Sequence, residues 1–138
     1  MSPFSKLALV MMLLATRPLL AQQLPYANSL TEPDQELDNF GGGYAGIHKI
    51  SAQLRGVRGA DSTLYWVSAD GRQLTVYKRG QQLWQANMNQ VFARVLMNVR
   101  IEKLIFASNI VFVSTTKGGS AEIDRKTGKA VAVSATVE

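Results

Sequence analysis

From Ile47 to the end, the chain is broken into short runs rich in valine, isoleucine, tyrosine and tryptophan, and glycine-containing turns separate them. Runs of this length and composition, bounded by turn residues, are the signature of β-strands. The pattern predicts strands near 47–54, 63–69, 73–78, 82–88, 100–107, 109–115, 119–124 and 129–137. Ser68-Ala69-Asp70-Gly71 is a tight-turn sequence between two of them, with glycine where positive φ is needed. Several strands are apolar on both faces: Ile110 and Phe112 point one way, Val111 and Val113 the other. Such strands call for cover on both sides, which argues against a single open sheet. The stretch 90–97 reads equally as strand or helix, with Val91, Phe92, Val95 and Leu96 on a helical stripe after an Asn89 cap. The expected class is therefore all-β.

The first 21 residues obey different rules. Lys6 provides a positive start, Leu7 to Ala15 an apolar run, and Ala21 a small residue before Gln22-Gln23. This is the layout of a secretory signal peptide, too short in its apolar part to span a bilayer. Cleavage is expected after Ala21, with Ala15 as the alternative, and the product is expected in the periplasm or outside the cell. No membrane span is expected after signal removal. Lys6 and Arg17 leave with the signal, taking 15 basic residues to 13 against 10 acidic ones, a net of +3. The remaining cations are scattered, with no run longer than a pair such as Arg125-Lys126. A nucleic-acid surface concentrates such charge on one face, so no nucleic-acid partner is expected. The chain has no cysteine. Export without disulfides, and without the acylated cysteine of a lipoprotein, suits a bacterial envelope better than a small animal secreted domain.

Residues 22–45 form a polar segment with Pro25, Pro33, four acids and the run Gly41-Gly42-Gly43. It reads as a flexible arm carrying at most a short helix capped by Thr31, with Asp34 as its capping-box partner and Gly41 as its stop. DQELDN from Asp34 has Asn39 where a calcium loop needs glycine and no closing glutamate at Ala45. GGGYAG (Gly41 to Gly46) follows a polar arm and precedes a β-like run, which is the wrong context for a phosphate loop. It reads as a hinge. The all-β domain is then expected over 46–138.

Within it, two segments repeat each other. LYWVSADGRQLTVYKRGQQLW begins at Leu64, and IVFVSTTKGGSAEIDRKTGKAVA begins at Ile110. Val67-Ser68 falls on Val113-Ser114, Val76 on Ile123, Gly80 on Gly128 and Leu83 on Val131, at an offset of 46 to 48 residues. That is close to the length of one four-stranded propeller blade, and it predicts two copies spanning about 47–88 and 100–137. EIDRKTGKAVA (Glu122 to Ala132) resembles the repeat of quinoprotein-type, PQQ-like β-propellers. In that family a strand ends in aspartate, a turn closes on Thr-Gly, and a tryptophan four residues later docks one blade onto its neighbour. The resemblance gives Asp124, Thr127 and Gly128 to the turn of the second copy, with Ala132 in the tryptophan's place. The first copy has Gly80 and Trp84 in register, but Tyr77 replaces the aspartate. A closed propeller needs at least about four blades. The expected architecture is two blade-like antiparallel meanders packed together, as a partial propeller or a sandwich; the alternatives are that copies of the chain associate or that the likeness is only local.

Catalytic constellations do not emerge. His48 is the only histidine, which removes a His/Cys metal cluster and leaves it as a surface or strand-edge residue. No nucleophile elbow is present, and among Asp61, Asp70, Glu102, Glu122 and Asp124 two carboxylates already have turn roles. No calcium-ligand set or adjacent-cysteine pair accompanies the propeller resemblance, so no cofactor is expected. Tyr65 and Trp66 lie on opposite faces of one strand and are the candidate partner contacts. The expected role is non-enzymatic: binding or structural interaction with an envelope protein, or self-association. An accessory or degenerate fragment of a quinoprotein-like enzyme and a small adhesin-like β-sandwich are the alternatives.

Overall fold

The structure, a computed structural model, describes residues 24–34, 46–59 and 61–136. The signal segment, its cleavage site, residues 35–45 with the glycine run, and the last two residues lie outside them. The strands are β1 (Thr31–Pro33), β2 (Ile47–Lys49), β3 (Gly56–Arg58), β4 (Thr63–Val67), β5 (Gln73–Lys78) and β6 (Gln81–Asn87). A single helical turn, α1 (Met88–Val91), then leads to β7 (Ile101–Phe106), β8 (Ile110–Thr115), β9 (Gly119–Asp124) and β10 (Ala130–Ala135). They form two five-stranded sheets, ordered β1-β3-β4-β5-β6 and β10-β9-β8-β7-β2. The fold is all-β, with the sheets packed face to face and neither closed into a barrel.

Each sheet is a four-stranded antiparallel meander, β3–β6 or β7–β10, with one strand added from the N-terminal part of the chain. The turns explain why the meanders form. Between β4 and β5, Gly71 at φ +75° donates to the Ser68 carbonyl, and Asp70 accepts from the Arg72 N–H and the Ser68 hydroxyl. Between β5 and β6 the loop is two residues, Arg79 and Gly80, both at positive φ (52° and 81°). This is the type I′ geometry that matches the twist of paired strands.

Alternate residues of both meanders fill one core: Val57, Tyr65, Val67, Leu74, Val76 and Trp84 from the first, Leu104, Phe106, Val111, Val113, Ala121 and Ile123 from the second. Met88 and Phe92 plug one end from α1 and the turn after it, so the ambiguous 90–97 stretch starts as helix. Its cap is Asn87, whose side chain accepts from the Asn89 N–H at 2.8 Å, in place of the expected Asn89. The aligned pairs Val67/Val113 and Val76/Ile123 all turn into this shared core. The two copies therefore meet with like faces, as in a sandwich. The outer face of the first sheet is covered by Tyr26, whose ring lies 6.2 Å from Trp66 and 5.1 Å from Tyr77. On the second sheet Ile110 and Phe112 stay half-exposed.

Three expectations change. The run 47–54 is not one strand. It is strand only over Ile47–Lys49, with the Ile50 N–H still donating to Glu102 in the second sheet, and the chain then bends and reaches the first sheet after it, at Gly56. The strand that begins the first meander is β3, whose Gly56 allows a close approach; a Cβ there would stand 2.8 Å from the Trp66 ring. Finally, the arm is not free over its whole length, and Thr31 caps no helix. Thr31–Pro33 pairs in parallel with β3, the Asp34 N–H extends the pairing to Arg58, and the Thr31 hydroxyl donates to Asn28. Pro33, lacking an N–H, is tolerated because β1 is an edge.

Candidate functional site

The two sheets are clasped at both sides of the sandwich. On the side of β6, Trp84 is 8% exposed, and its indole N–H donates to the Arg125 carbonyl in the β9–β10 turn at 2.9 Å. Its ring covers Gly128: a Cβ on that glycine would lie 2.5 Å from the indole. Gly128 sits at φ +76°, so both the conformation and the space require glycine. The turn is built by Asp124, whose carboxylate accepts from the Lys126 and Thr127 N–H groups at 2.8 and 3.1 Å. The Gly128 N–H donates to the Asp124 carbonyl, and the Thr127 hydroxyl accepts from the Lys129 N–H. The bonds from Lys126 and Thr127 hold the Asp124 carboxyl below the usual aspartate range. Gly80, the aligned glycine, has the same backbone hand, but nothing lies within 4 Å of where its Cβ would be.

Arg125 completes this clasp. Its Nε donates to the Tyr65 hydroxyl at 2.9 Å and its Nη1 to the Ala107 carbonyl at 2.7 Å. The guanidinium lies 5.5 Å from the Tyr65 ring centre and 5.4 Å from that of Phe106. Tyr65 is 2% exposed, edge-on to Trp84 and Phe106, and burial pushes its hydroxyl above the usual tyrosine range. Tyr65 is thus an inner residue and offers no surface to a partner. Trp66 is half-buried beneath Tyr26.

On the opposite side, His48 of β2 is only 4% exposed and faces two carboxylates of the first sheet's edge. Its Nδ1 meets Glu32 at 2.5 Å and its Nε2 meets Asp34 at 2.7 Å, with Phe106 edge-on at 5.7 Å. An imidazolium donates to both carboxylates at once; a neutral ring satisfies both only if one carboxyl is protonated. The expectation of an ordinary surface histidine is corrected. His48 lies on an edge strand, yet it is an inter-sheet tie. Sequence reasoning missed it because its partners lie 14 and 16 residues earlier, in a segment read as an arm. Among the described residues, no cluster of histidine and carboxylate groups is arranged to hold a metal ion.

The free edges differ between the two sides. β1 and β2 are three residues long, and β1 ends in proline. On the other side β6 of the first sheet runs for seven residues, interrupted by a bulge opposite Val76-Tyr77, and β10 of the second runs for six, Ala-Val-Ala-Val-Ser-Ala, with no charge and no proline and with Val131 57% exposed. Natural sheets blunt their edges with short strands, lysine or proline. β10 has none of these.

No family model matches the chain. A search of curated proteins finds no match either. No helix among the described residues is long and apolar enough to cross a membrane.

Proposed function

We propose that this chain is an exported, non-enzymatic binding module of the bacterial envelope, which engages a partner protein by adding one of the partner's extended segments to β10. The observation that carries the reading is the unblunted six-residue edge of the second sheet. Main-chain groups on such an edge supply affinity, and neighbouring side chains supply selectivity. The Thr136 N–H donates inward to Gly118, so by the alternation of an antiparallel ladder the N–H groups of Val133 and Ala135 face outward. Export rests on the layout of residues 1–21. The PQQ-like repeat is proposed as the origin of the two meanders, supported by Trp84 seated on the Asp-x-x-Thr-Gly turn of the other copy.

Ala135→Pro removes one outward donor while leaving the inward ladder intact. Protein isolated with its partner from the envelope fraction should lose that partner on this substitution and keep its urea midpoint. Amide exchange at Val133 and Ala135 should be slow in the complex and fast in the isolated chain. Undiminished association of Ala135→Pro, or a partner that protects other strands instead, would overturn the reading.

A further inference from the structure

A cleft of about 510 Å³ opens beside the Trp84 clasp, and none of its lining comes from β10. Lys78, Arg125 and Lys126 line it together with Asp61, Ser108 and Leu83. Three cations therefore face one carboxylate. Asp61 is already engaged: it accepts from the Thr63 N–H at 3.3 Å, and hydrogen bonding from Thr63 holds its carboxyl below the usual aspartate range. Neither Lys126 nor Arg125 forms a salt bridge to a carboxylate among the described residues.

Arg125 is the group that makes this more than a basic patch. Its side chain is half-buried and fixed by Tyr65 and Ala107, as described above, and it is flanked by two aromatic rings. Its Nη2 has no hydrogen-bond partner among the described residues, yet it is not sealed from solvent. Structural anchoring, to Tyr65 across the sheets and to Ala107 within the second sheet, accounts for Nε and Nη1. It does not account for the open Nη2, nor for the two lysines placed on the same cleft. A guanidinium already ordered loses little freedom on binding, and its planar donors match the oxygens of carboxylates and phosphates.

We infer that this cleft binds a small molecule through an oxyanion, carboxylate or phosphate, received by Arg125 Nη2 and Lys126, with exposed Leu83 against its apolar part. The indole N–H of Trp84 donates to the Arg125 carbonyl, so it serves as an internal reporter. Inorganic phosphate and benzoate are to be titrated separately into the ¹⁵N-labelled chain at constant ionic strength, with chloride as the reference anion.

Saturable shifts should be centred on the amides of Ser108, Arg125 and Lys126 and on the Trp84 indole. Lys126→Glu should weaken the effective probe at least about tenfold, equivalent to about 1.4 kcal/mol, with an unchanged urea midpoint. Lys129→Glu carries the same charge change on an exposed residue that does not line the cleft, and it should leave affinity unaltered. Saturation by phosphate alone would assign a phosphate ligand; saturation by benzoate alone, a carboxylate on an apolar body. The inference is overturned if neither probe saturates, if chloride reproduces the shifts, or if Lys126→Glu and Lys129→Glu weaken binding equally.

Discussion

The two clasps of the sandwich do the same mechanical job with opposite chemistry. On the β6 side an indole lies on a glycine, one neutral hydrogen bond fixes its rotation, and a guanidinium bridges behind it. On the β1–β2 side an imidazole is held between two carboxylates, with Phe106 edge-on to it. The first clasp gains chiefly from apolar area removed from water, which is insensitive to salt. The second gains from satisfied polar groups, and Glu32 remains accessible to solvent, which weakens its contribution. One side of the molecule is thereby closed by shape and the other by hydrogen bonding.

The largest break should come from the apolar clasp. Trp84→Ala is expected to lower stability by about 3–5 kcal/mol in urea melts, a large share of what a domain of this size has. Gly128→Val should cost at least about 2 kcal/mol, because it adds backbone strain to a collision with the indole. The pair sharpens the comparison: in the Trp84→Ala background the collision is gone, so Gly128→Val should cost at least about 1 kcal/mol less there. Equal costs in both backgrounds would mean that the ring does not press on that glycine.

The polar clasp should break more gently. His48→Ala leaves Glu32 and Asp34 facing one another without a donor, and it should cost about 1–3 kcal/mol, less than a fully buried pair because Glu32 is exposed. Adding Glu32→Gln and Asp34→Asn to His48→Ala should recover part of that loss. A further drop would show that the carboxylates have other partners.

Asp124 offers a smaller and pH-dependent effect. Its carboxyl titrates below the ordinary 3.8 when folded, so the turn's stabilisation is complete above that value and is lost as pH falls through the lower folded value. Asp124→Asn should flatten the acid limb of the stability curve below that ordinary value and leave its neutral-to-alkaline limb unchanged. Smallest of all, Arg79→Ala on the exposed β5–β6 turn should stay within about 0.5 kcal/mol of the parent.

These two sides also differ in how well they can be read in advance. The Asp124–Gly128 turn and its tryptophan belong to long strands with regular alternation, where local sequence and final contacts agree. Seven of the ten strands sit close to their expected positions for that reason. β1 and β3 are three residues each, too short for any period, and their placement depends on partners far along the chain. Thr31-Glu32-Pro33-Asp34 has the composition of a helix start, yet parallel pairing with β3 outweighs that weak preference. An isolated glycine in a valine-containing run was the available signal for β3, since glycine inside a strand marks a close backbone approach. Nothing local marks His48, because only the crossing between sheets brings both acids to it. The cleft at Arg125 was equally hidden: Arg125-Lys126 read as a charge pair on a turn, and the cavity arises only when β5 and the β9–β10 turn are brought together.

The order in which the chain visits the sheets has a kinetic consequence. It passes from β1 in one sheet to β2 in the other, then back to β3, before either meander has begun to fold on itself. The hairpins from β3 to β6 and from β7 to β10 close short loops and can form early. β2, however, must wait for β7, whose partner residues lie more than fifty positions further on, Ile47 pairing with Ile105. During synthesis β1 finds β3 within 25 residues, whereas β2 leaves the ribosome early and finds its place late. Until β7 arrives, Ile47 and His48 have no seat, and the first meander alone exposes the inner face that the second will cover. The transition state for folding should accordingly contain the hairpins and lack β2, so that substitutions at His48 accelerate unfolding and leave the folding rate nearly untouched.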